Sequence, residues 1–369
     1  MRRFIALLLL LAASCAGTAA ENHGAAALSI YYIDTEGGQS TLFVGPTGES
    51  LLVDTGFPGE RDLARIAETL RGAGVSRIDH LWTTHFHVDH VGALLELAKQ
   101  FPIQHFYDHG APNAKDRIVS AAFMTAYAEL SQHKRTIVKA GDKVKMSGMD
   151  ITAVASANQF IRRSMKGGGR SNAACAQMKP VDESAYFDPD NGDSAGFVLE
   201  YGRFRTADLG DLTWNGELDL MCPVNRIGTV DLYLTSHHGL AKSGSPALVH
   251  ALQPRVAVMN NGPRKGGETN AFRVLFASPG LADLWQLHWS WNAGAENAPA
   301  TFIANIEDNA TMASALTQPA PPPGPPPGGP GAGAHSPAWL IKVSAHRDGT
   351  FTVTNTRNGF SKTYPRIRK

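Results

Sequence analysis

The sequence has almost no net charge, and this restricts its partners. Its 34 Lys and Arg residues face 33 Asp and Glu residues, which leaves a formal charge of +1 at pH 7. A chain without an excess of one sign has no global electrostatic attraction to nucleic acid or to a membrane surface. We therefore predict no stable nucleic-acid partner.

Cysteine is scarce as well, with three residues in 369. Neither Cys175 nor Cys222 sits in a spacing typical of a metal site. The two can form one disulfide in an oxidising compartment. Their positions along the chain do not show whether they meet, so both states stay open.

The sequence offers no convincing transmembrane segment, because its apolar run over residues 4–13 is too short to span a bilayer. Two arginines precede the run and small residues follow it as far as Ala20, a pattern typical of a secretory signal. We predict a signal peptide over residues 1–20 and an exported, periplasmic or secreted protein, with no transmembrane segment in the mature chain. Lipid attachment through Cys15 is the alternative, although the leucine expected three residues before that cysteine is missing.

The rest of the composition is typical of a globular fold, with 43% hydrophobic and 18% charged residues. Three β-rich runs separated by short turns begin at Leu28 and predict an antiparallel meander. Strands and helices then alternate, with helices predicted over residues 60–71, 91–100 and 114–132. This order predicts two mixed sheets covered by helices.

Three regions depart from this alternation. Residues 158–192 are polar and Gly-rich and predict a long surface loop. Residues 316–336 are rich in Pro and Gly and predict an exposed low-complexity loop. Further on, Asp348-Gly349 between two alternating strands predicts a β-hairpin within residues 337–369. Because two strands alone are only marginally stable, we expect this hairpin to pack on the main domain, residues 28–315.

The densest group of reactive side chains follows the apolar strand predicted over residues 78–83. Three histidines and one aspartate occupy six positions there, namely His85, His87, Asp89 and His90. Imidazole and carboxylate are ligands that zinc accepts. His85 and His87 share one side of an extended segment because side chains alternate along it. We predict two adjacent cations, one bound by His85 and His87 and the other by Asp89 and His90.

Two later clusters also follow apolar strands and can complete such a site. Asp211 is our candidate for a carboxylate that bridges the two cations, with Asp208 as the alternative. The last imidazole is expected from His237 or His238. Since each cluster begins where a strand ends, we expect all of them at one edge of the two sheets.

These motifs resemble those of the metallo-β-lactamase superfamily. The resemblance rests on His85-x-His87-x-Asp89-His90, Gly210-Asp211 and His237-His238-Gly239, and on the upstream runs Asp34-x-x-Gly37-Gly38-Gln39-Ser40 and Asp54-Thr55-Gly56. It is closest to the branch that contains the hydrolase domain of competence DNA-uptake channels and phosphorylcholine esterases. The resemblance implies an α/β fold with a four-layer αββα sandwich, and a hydrolase with two Zn²⁺ per chain, Mn²⁺ or Fe being the alternatives.

One residue of the family pattern is missing. The family carries a histidine just before the strand that leads to Gly-Asp, whereas this chain has Asp-Asn-Gly-Asp-Ser over residues 190–194. We expect a substitute from Asn191 or Asp193, or from His109 or His133 reaching in from elsewhere. A centre with a single metal is the alternative.

The resemblance also implies a role for each residue. Asp89 orients the attacking water as well as binding metal, and His238 serves as the metal ligand of the histidine pair. His237 hydrogen-bonds a substrate oxyanion or protonates the leaving group. Asp54 either orients a metal-binding histidine or is an ordinary turn residue.

The branch favours a small-molecule phosphodiester or related phosphate ester as the substrate. Basic side chains can meet phosphate oxygens, although a solvated loop explains the first four of them more simply: Arg162, Arg163, Lys166, Arg170, and the pair Arg264-Lys265. The alternatives are a β-lactamase or lactonase acting on a cyclic amide or ester, and a non-catalytic metal-binding surface protein.

Overall fold

The computed structural model describes residues 27–116, 120–184, 188–306 and 338–366. The signal peptide predicted over residues 1–20 and the low-complexity loop predicted over residues 316–336 lie outside the described residues. Within the described ranges, no helix is both long enough and apolar enough to cross a membrane.

The elements are numbered along the chain. The strands are β1 Leu28–Tyr32, β2 Thr41–Val44, β3 Ser50–Val53, β4 Ile78–Trp82, β5 Ile103–Asp108, β6 Arg135–Ile137, β7 Lys143–Met146, β8 Met149–Ala153, β9 Ala155–Ser156, β10 Gln159–Phe160, β11 Arg170–Ser171, β12 Phe197–Tyr201, β13 Phe204–Asp208, β14 Val224–Asn225, β15 Leu232–Leu234, β16 Val256–Met259, β17 Asp283–His288, β18 Ile303–Asn305, β19 Ile341–Ala345, β20 Phe351–Asn355 and β21 Ser361–Tyr364. The α-helices are α1 Glu60–Gly72, α2 Val88–Val91, α3 Leu94–Gln100, α4 Ala121–Leu130, α5 Trp214–Met221, α6 Pro246–Leu252 and α7 Thr269–Phe276.

Most strands belong to two mixed sheets. The first sheet has nine strands in the order β21-β20-β19-β1-β2-β3-β4-β5-β6, and the second has eight in the order β18-β17-β16-β15-β13-β12-β8-β7. Strands β3, β4, β5 and β6 run parallel to one another, as do β13, β15, β16, β17 and β18, while the other neighbouring pairs of these sheets are antiparallel. The predicted opening meander is β1-β2-β3.

The two sheets pack face to face through one apolar core. Trp82 of the first sheet meets Phe197 of the second with ring centroids 5.1 Å apart, and Phe43 approaches the same Phe197 at 6.3 Å. Helices α1, α3 and α4 cover the outer face of the first sheet, and α5, α6 and α7 cover that of the second. This is the four-layer αββα sandwich that the sequence predicted, and that prediction is confirmed.

Two predicted helices are shorter than their sequence pattern suggests, one because of a tertiary contact and the other because of a local cap. The helix predicted over residues 91–100 is divided, since Gly92 and Ala93 donate their backbone N–H groups to Gly56 and Thr55. The helix predicted over residues 114–132 begins only at α4, where the Ser120 side chain accepts a hydrogen bond from the third residue of the helix. The long loop predicted over residues 158–192 contains the short strands β10 and β11 and two 3-10 turns.

The C-terminal hairpin joins the first sheet. Strands β19 and β20 pair around residues 347–349, and β19 also pairs with β1, so that Leu28 lies opposite Ala345. A third strand, β21, extends the hairpin and was not predicted. The hairpin therefore gains the additional sheet neighbour that it needs for stability.

A disulfide joins Cys175 to Cys222, which settles the question that the sequence left open. It fastens the 3-10 turn Ala173–Gln177 to the end of α5. Asn172 supports the same junction, because its side-chain amide donates to the carbonyl oxygens of Met221 and Ala247 at 3.1 and 2.8 Å.

We expect the double variant Cys175→Ser/Cys222→Ser to have a free energy of unfolding lower by up to about 4 kcal/mol, since the disulfide closes a loop of 47 residues. The measurement is chemical denaturation of both proteins without reductant. Wild-type protein treated with reductant should behave like the variant, and equal denaturation midpoints for all three samples would contradict the expectation.

Candidate metal centre

The predicted site residues converge at one edge of the sandwich. Strands β13, β15 and β16 are parallel neighbours, so their carboxyl ends lie together. Asp211 follows β13, the pair His237-His238 follows β15, and the segment from His85 to His90 follows β4 of the other sheet. At this edge the sheets are joined by two hydrogen bonds of 2.7 Å, from the Trp82 indole to the carbonyl of Ala195 and from the backbone N–H of Ala195 to Thr84.

Four buried side chains form a compact group of potential metal ligands: Asp89, His90, Asp211 and His238. One ligand atom from each lies within 4.8 Å of all the others. The Nε2 atom of His90 is 3.2 Å from Oδ2 of Asp211 and 3.3 Å from Nε2 of His238. The Nε2 atom of His238 is 3.3 Å from a carboxylate oxygen of each aspartate.

The chemistry of this group fits a cation. Two carboxylates, Asp89 and Asp211, are buried side by side, which is costly unless positive charge lies between them. Oδ1 of Asp211 and Nε2 of His85 are buried and have no hydrogen-bond partner among the described residues. Imidazole nitrogens and carboxylate oxygens that have no hydrogen-bond partner are the ligand atoms that a zinc-like cation binds.

His85 and His87 lie beside this group without belonging to it. Nε2 of His85 is 3.9 Å from Oδ2 of Asp211, and its ring lies 4.1 Å from that of His90. The ring of His87 is 4.5 Å from that of His85, but its Nε2 atom is 2.8 Å from the carboxylate of Asp116. Within the described ranges, no second group of three or more such ligand atoms is as compact as the first.

None of the four substitutes considered for the missing histidine is seen to take its place. The Asn191 amide donates to Asp188, and the Asp193 carboxylate accepts from Asn113. His109 contacts the carboxylate of Asp190 at 3.3 Å, and His133 is exposed. The first of the two predicted metal positions therefore has fewer ligands around it than the second.

Two buried carboxylates outside the group hold one histidine of the group, His90, and one histidine beside it, His87. Asp54 accepts from Nδ1 of His90 at 2.6 Å, and also from the backbone N–H and hydroxyl of Thr84. Asp116 holds Nε2 of His87 in the same way. A carboxylate on one imidazole nitrogen fixes the ring and leaves its other nitrogen free to face the centre. The contact of Asp54 corresponds to the orienting role considered for it above.

The paired histidines adopt a backbone conformation that is rare for such residues. His237 and His238 have φ angles of 54° and 56°, in the left-handed region. This conformation directs Nε2 of His237 to 3.4 Å from Oδ2 of Asp211, and its Nδ1 lies 3.2 Å from the Ser243 hydroxyl. Nδ1 of His238 lies 3.1 Å from the side-chain amide of Asn260. Each ring is therefore held by a polar contact at its Nδ1 atom.

The pKa values show how strongly these groups interact. Burial raises the pKa of Asp211, but the neighbouring His238, His237 and His90 outweigh burial and hold it well below its usual range. Burial lowers the pKa of His90, but Asp211, Asp89 and Asp54 outweigh burial and hold it well above its usual range. The buried carboxylates thus favour positive charge beside them. A metal cation can supply this charge.

Asp208, the alternative bridging residue, is oriented differently. One of its carboxylate oxygens accepts from the Gln39 amide at 2.9 Å, and the other accepts from the backbone N–H of Gly210 at 3.0 Å. Burial raises the pKa of Asp208 to about 7. It is absent from the compact group that contains Asp211.

Two charged contacts of the centre were not predicted. Asp116 belongs to a segment for which the sequence predicted a helix, and no local signal connects it to His87. Lys265 was considered only as a phosphate contact, yet its ammonium group forms an ion pair with Asp89. The basic side chains of residues 162–170 are exposed, and no hydrogen bond or ion pair in the described chain joins them to the group.

Comparisons with known proteins agree with this geometry. Residues 34–117 match the sequence model of the metallo-beta-lactamase superfamily. The chain is 29% identical over 113 residues to the coenzyme F420H(2) oxidase of Methanothermobacter marburgensis, a stretch that covers 30% of this chain and 26% of the oxidase. It is 35% identical over 80 residues to an atrochrysone carboxyl ACP thioesterase of Pseudocercospora fijiensis, which covers 22% of this chain and 23% of the thioesterase.

The chain thus spans about a quarter of the length of each of these relatives. Among solved structures, it is similar to the metallo-beta-lactamase fold protein YhfI from Bacillus subtilis, with 11% identity and a TM-score of 0.45 over 70% of this chain and 95% of that one. The match of residues 34–117 contains the whole HxHxDH segment together with β1–β3 turns that contact it. Over residues 34–117 the chain is therefore similar to the metallo-beta-lactamase superfamily, in the segment that contains His85, His87, Asp89 and His90.

Proposed function

We propose that this protein is a metal-dependent hydrolase that acts on a phosphodiester or a related phosphate ester. The observation that carries the proposal is the compact buried group of Asp89, His90, Asp211 and His238. Two carboxylates and two imidazoles within 4.8 Å of one another are a ligand set for a zinc-like cation, with Mn²⁺ and Fe as the alternatives.

These four residues would hold the cation, with His85 and His87 beside them for a second one. A cation bound there lowers the pKa of a water molecule toward neutrality and polarises the phosphoryl or carbonyl oxygen of the substrate. The carboxylate of Asp54 keeps His90 in position through a hydrogen bond of 2.6 Å. Because these ligands are already in position, the site does not have to reorganise when the reaction occurs.

Two residues would act on the reactants directly. Asp89 is 7% exposed, and its carboxylate is placed to orient the attacking water as well as to bind the cation. His237 is fixed on its Nδ1 side by Ser243, so its Nε2 side faces the centre and is placed to hydrogen-bond a substrate oxyanion or to protonate the leaving group.

Two motifs that resemble the phosphorylcholine esterase branch contact the ligand residues, namely the turn Gly38-Gln39 and the serine that precedes the strand leading to Gly210-Asp211. The backbone N–H of Gln39 donates to the carbonyl of Asp89 at 3.0 Å, and the hydroxyl of Ser194 accepts from the backbone N–H of Asp211 at 3.2 Å. Gln39 and Ser194 are features by which the chain resembles the phosphorylcholine esterase branch. Their contacts support the proposal that this resemblance extends to the reaction.

A second candidate is hydrolysis of a carboxylic ester, thioester, lactone or β-lactam. A relative of 35% identity over 80 residues is a thioesterase, and this observation favours an acyl substrate. The same cation and water serve both reactions, since each requires hydroxide and polarisation of an oxygen. The substrate therefore has to be determined by assay.

We expect the zinc-loaded protein to hydrolyse bis-p-nitrophenyl phosphate faster than nitrocefin, a γ-lactone or an acyl thioester, each compared by kcat/KM. The physical reason is that the proposed site offers its cation and its hydrogen-bond donors to an anionic phosphoryl group. The chelated protein is the control. Preference for the thioester would establish the second candidate, and no turnover of any substrate would contradict both.

Metal removal should lower thermal stability as well as activity. A ligand that binds only the folded protein stabilises it, so zinc at 100 times its Kd should raise the free energy of unfolding by about 2.7 kcal/mol. The measurement is the Tm of chelated protein with and without zinc, with magnesium at the same ionic strength as the control. An unchanged Tm together with no zinc retained after dialysis would exclude the proposed site.

Asp211→Asn and Asp208→Asn form a matched pair, since both are buried carboxylates near the end of β13. Asp211→Asn should lose zinc and reduce kcat/KM by more than about 100-fold. Mutation of a residue that only hydrogen-bonds a metal ligand already lowers metal affinity or activity by about 10- to 100-fold. Asp208→Asn should retain the zinc content of the wild type. Metal analysis of the folded variants distinguishes them, and the reverse result would assign the bridging role to Asp208.

A further inference from the structure

We propose that Lys265 binds the negatively charged group of the substrate and thereby selects anionic phosphodiesters over neutral esters. This inference rests on the proposed hydrolase function and specifies its substrate. Lys265 forms an ion pair with Asp89, which belongs to the compact ligand group. Its side chain remains 37% exposed, so it connects the buried centre with the solvent.

The position of Lys265 is fixed by the backbone around it. The carbonyl of Lys265 accepts from the N–H of Gly262 at 2.8 Å, which closes the loop of residues 262–265. On one side this loop abuts Gly37, where a Cβ atom would come within 2.9 Å of the Lys265 Cβ. A side chain at Gly37 would therefore displace the lysine.

The other side of the loop is held by His238. The N–H of Gly267 donates to the carbonyl of His238 at 2.9 Å, and a Cβ atom on Gly266 would lie only 2.1 Å from that same oxygen. Because φ of Gly266 is 75°, glycine is the residue that this close approach requires. The lysine is thus carried on a loop attached directly to a residue of the ligand group.

An aromatic ring fixes the direction of the side chain. The ammonium group of Lys265 lies 5.1 Å from the centroid of the Phe57 ring, within the range of a cation–π contact. Phe57 in turn is held by the hydrogen bond of 2.7 Å from its backbone N–H to Asp62. Lys265 therefore reaches the centre from a defined direction.

The charges explain why this lysine suits an anionic substrate. An ammonium group has three N–H donors, and in the described chain its hydrogen-bond partner is the Asp89 carboxylate alone. A phosphodiester that approaches Asp89 and Asp211 meets two negative charges, and Lys265 is the cationic side chain that forms an ion pair with one of them. Its remaining donors can bind a phosphoryl oxygen, while a neutral ester has no charge for them to recognise.

The test compares Lys265→Met and Lys265→Arg with Lys99→Met, a matched control at a lysine of α3 whose side chain is 68% exposed and pairs with Glu96. For bis-p-nitrophenyl phosphate, Lys265→Met should raise KM by about 10- to 100-fold, as expected for one hydrogen bond to a charged group. Lys265→Arg should recover part of this loss, and Lys99→Met should resemble the wild type. For the neutral substrate p-nitrophenyl acetate, kcat/KM of Lys265→Met should stay within about twofold of the wild type.

Zinc content and phosphate binding separate this inference from the function on which it rests. Lys265→Met should keep the zinc content of the wild type and bind inorganic phosphate about tenfold more weakly by calorimetry. Equal losses on both substrates, or loss of zinc, would assign Lys265 to the support of Asp89 and overturn the inference. If the wild type cleaves no phosphodiester, the proposed substrate is wrong, and the phosphate affinities of wild type and variant then decide the role of Lys265 by themselves.

Discussion

The repulsion between two buried carboxylates is the constraint on which the rest of this site depends. Asp89 and Asp211 both approach Nε2 of His238 at 3.3 Å, in a place that water hardly reaches. An ionised carboxylate without compensation costs several kcal/mol in such surroundings. Imidazoles, a lysine and a metal cation are the available sources of positive charge, and the strands that end at this edge bring the first two together.

The second requirement is that the ligands stay in place when no cation compensates them. Left-handed conformations at Asp54, His237 and His238 cost about 1–3 kcal/mol each, and they persist only where the surrounding structure determines them. Here the backbone N–H of Asp54 donates to Trp82, and that of His237 donates to Gly210. These left-handed conformations are thus maintained by hydrogen bonds within the sandwich. The geometry of the site therefore depends on the stability of the fold.

The sequence predicted the parts of the site that depend on local spacing. The HxHxDH segment is contiguous, and Asp211 and the histidine pair each follow an apolar strand, so the topology of the sheets brings them together. The fold class followed from the same motifs and from the alternation of strands and helices. These are properties that a short stretch of chain determines largely by itself.

The parts that were missed depend on packing between distant segments. Alternation along a strand places His87 on the side of His85, but it does not reveal that one of its nitrogens faces Asp116. The sequence around Asp116 has helical periodicity, yet the Asp116 carboxylate accepts from the backbone N–H of Asp190 and contacts Nε2 of His87, both distant in the sequence. The third strand of the C-terminal hairpin was missed because Ser361–Tyr364 is short and half exposed.

The pairing of β1 with β19 has a consequence for how the chain folds during synthesis. Strand β1 is the first described strand, yet one of its two neighbours is formed by residues 341–345, so this edge of the sheet is complete only when nearly the whole chain has been made. Until then β1 presents unpaired backbone groups and its apolar residues to the surroundings, which is the usual origin of edge-to-edge aggregation. At about 5–20 residues per second, this interval lasts tens of seconds. The nascent chain therefore carries this open edge of the first sheet through most of its synthesis.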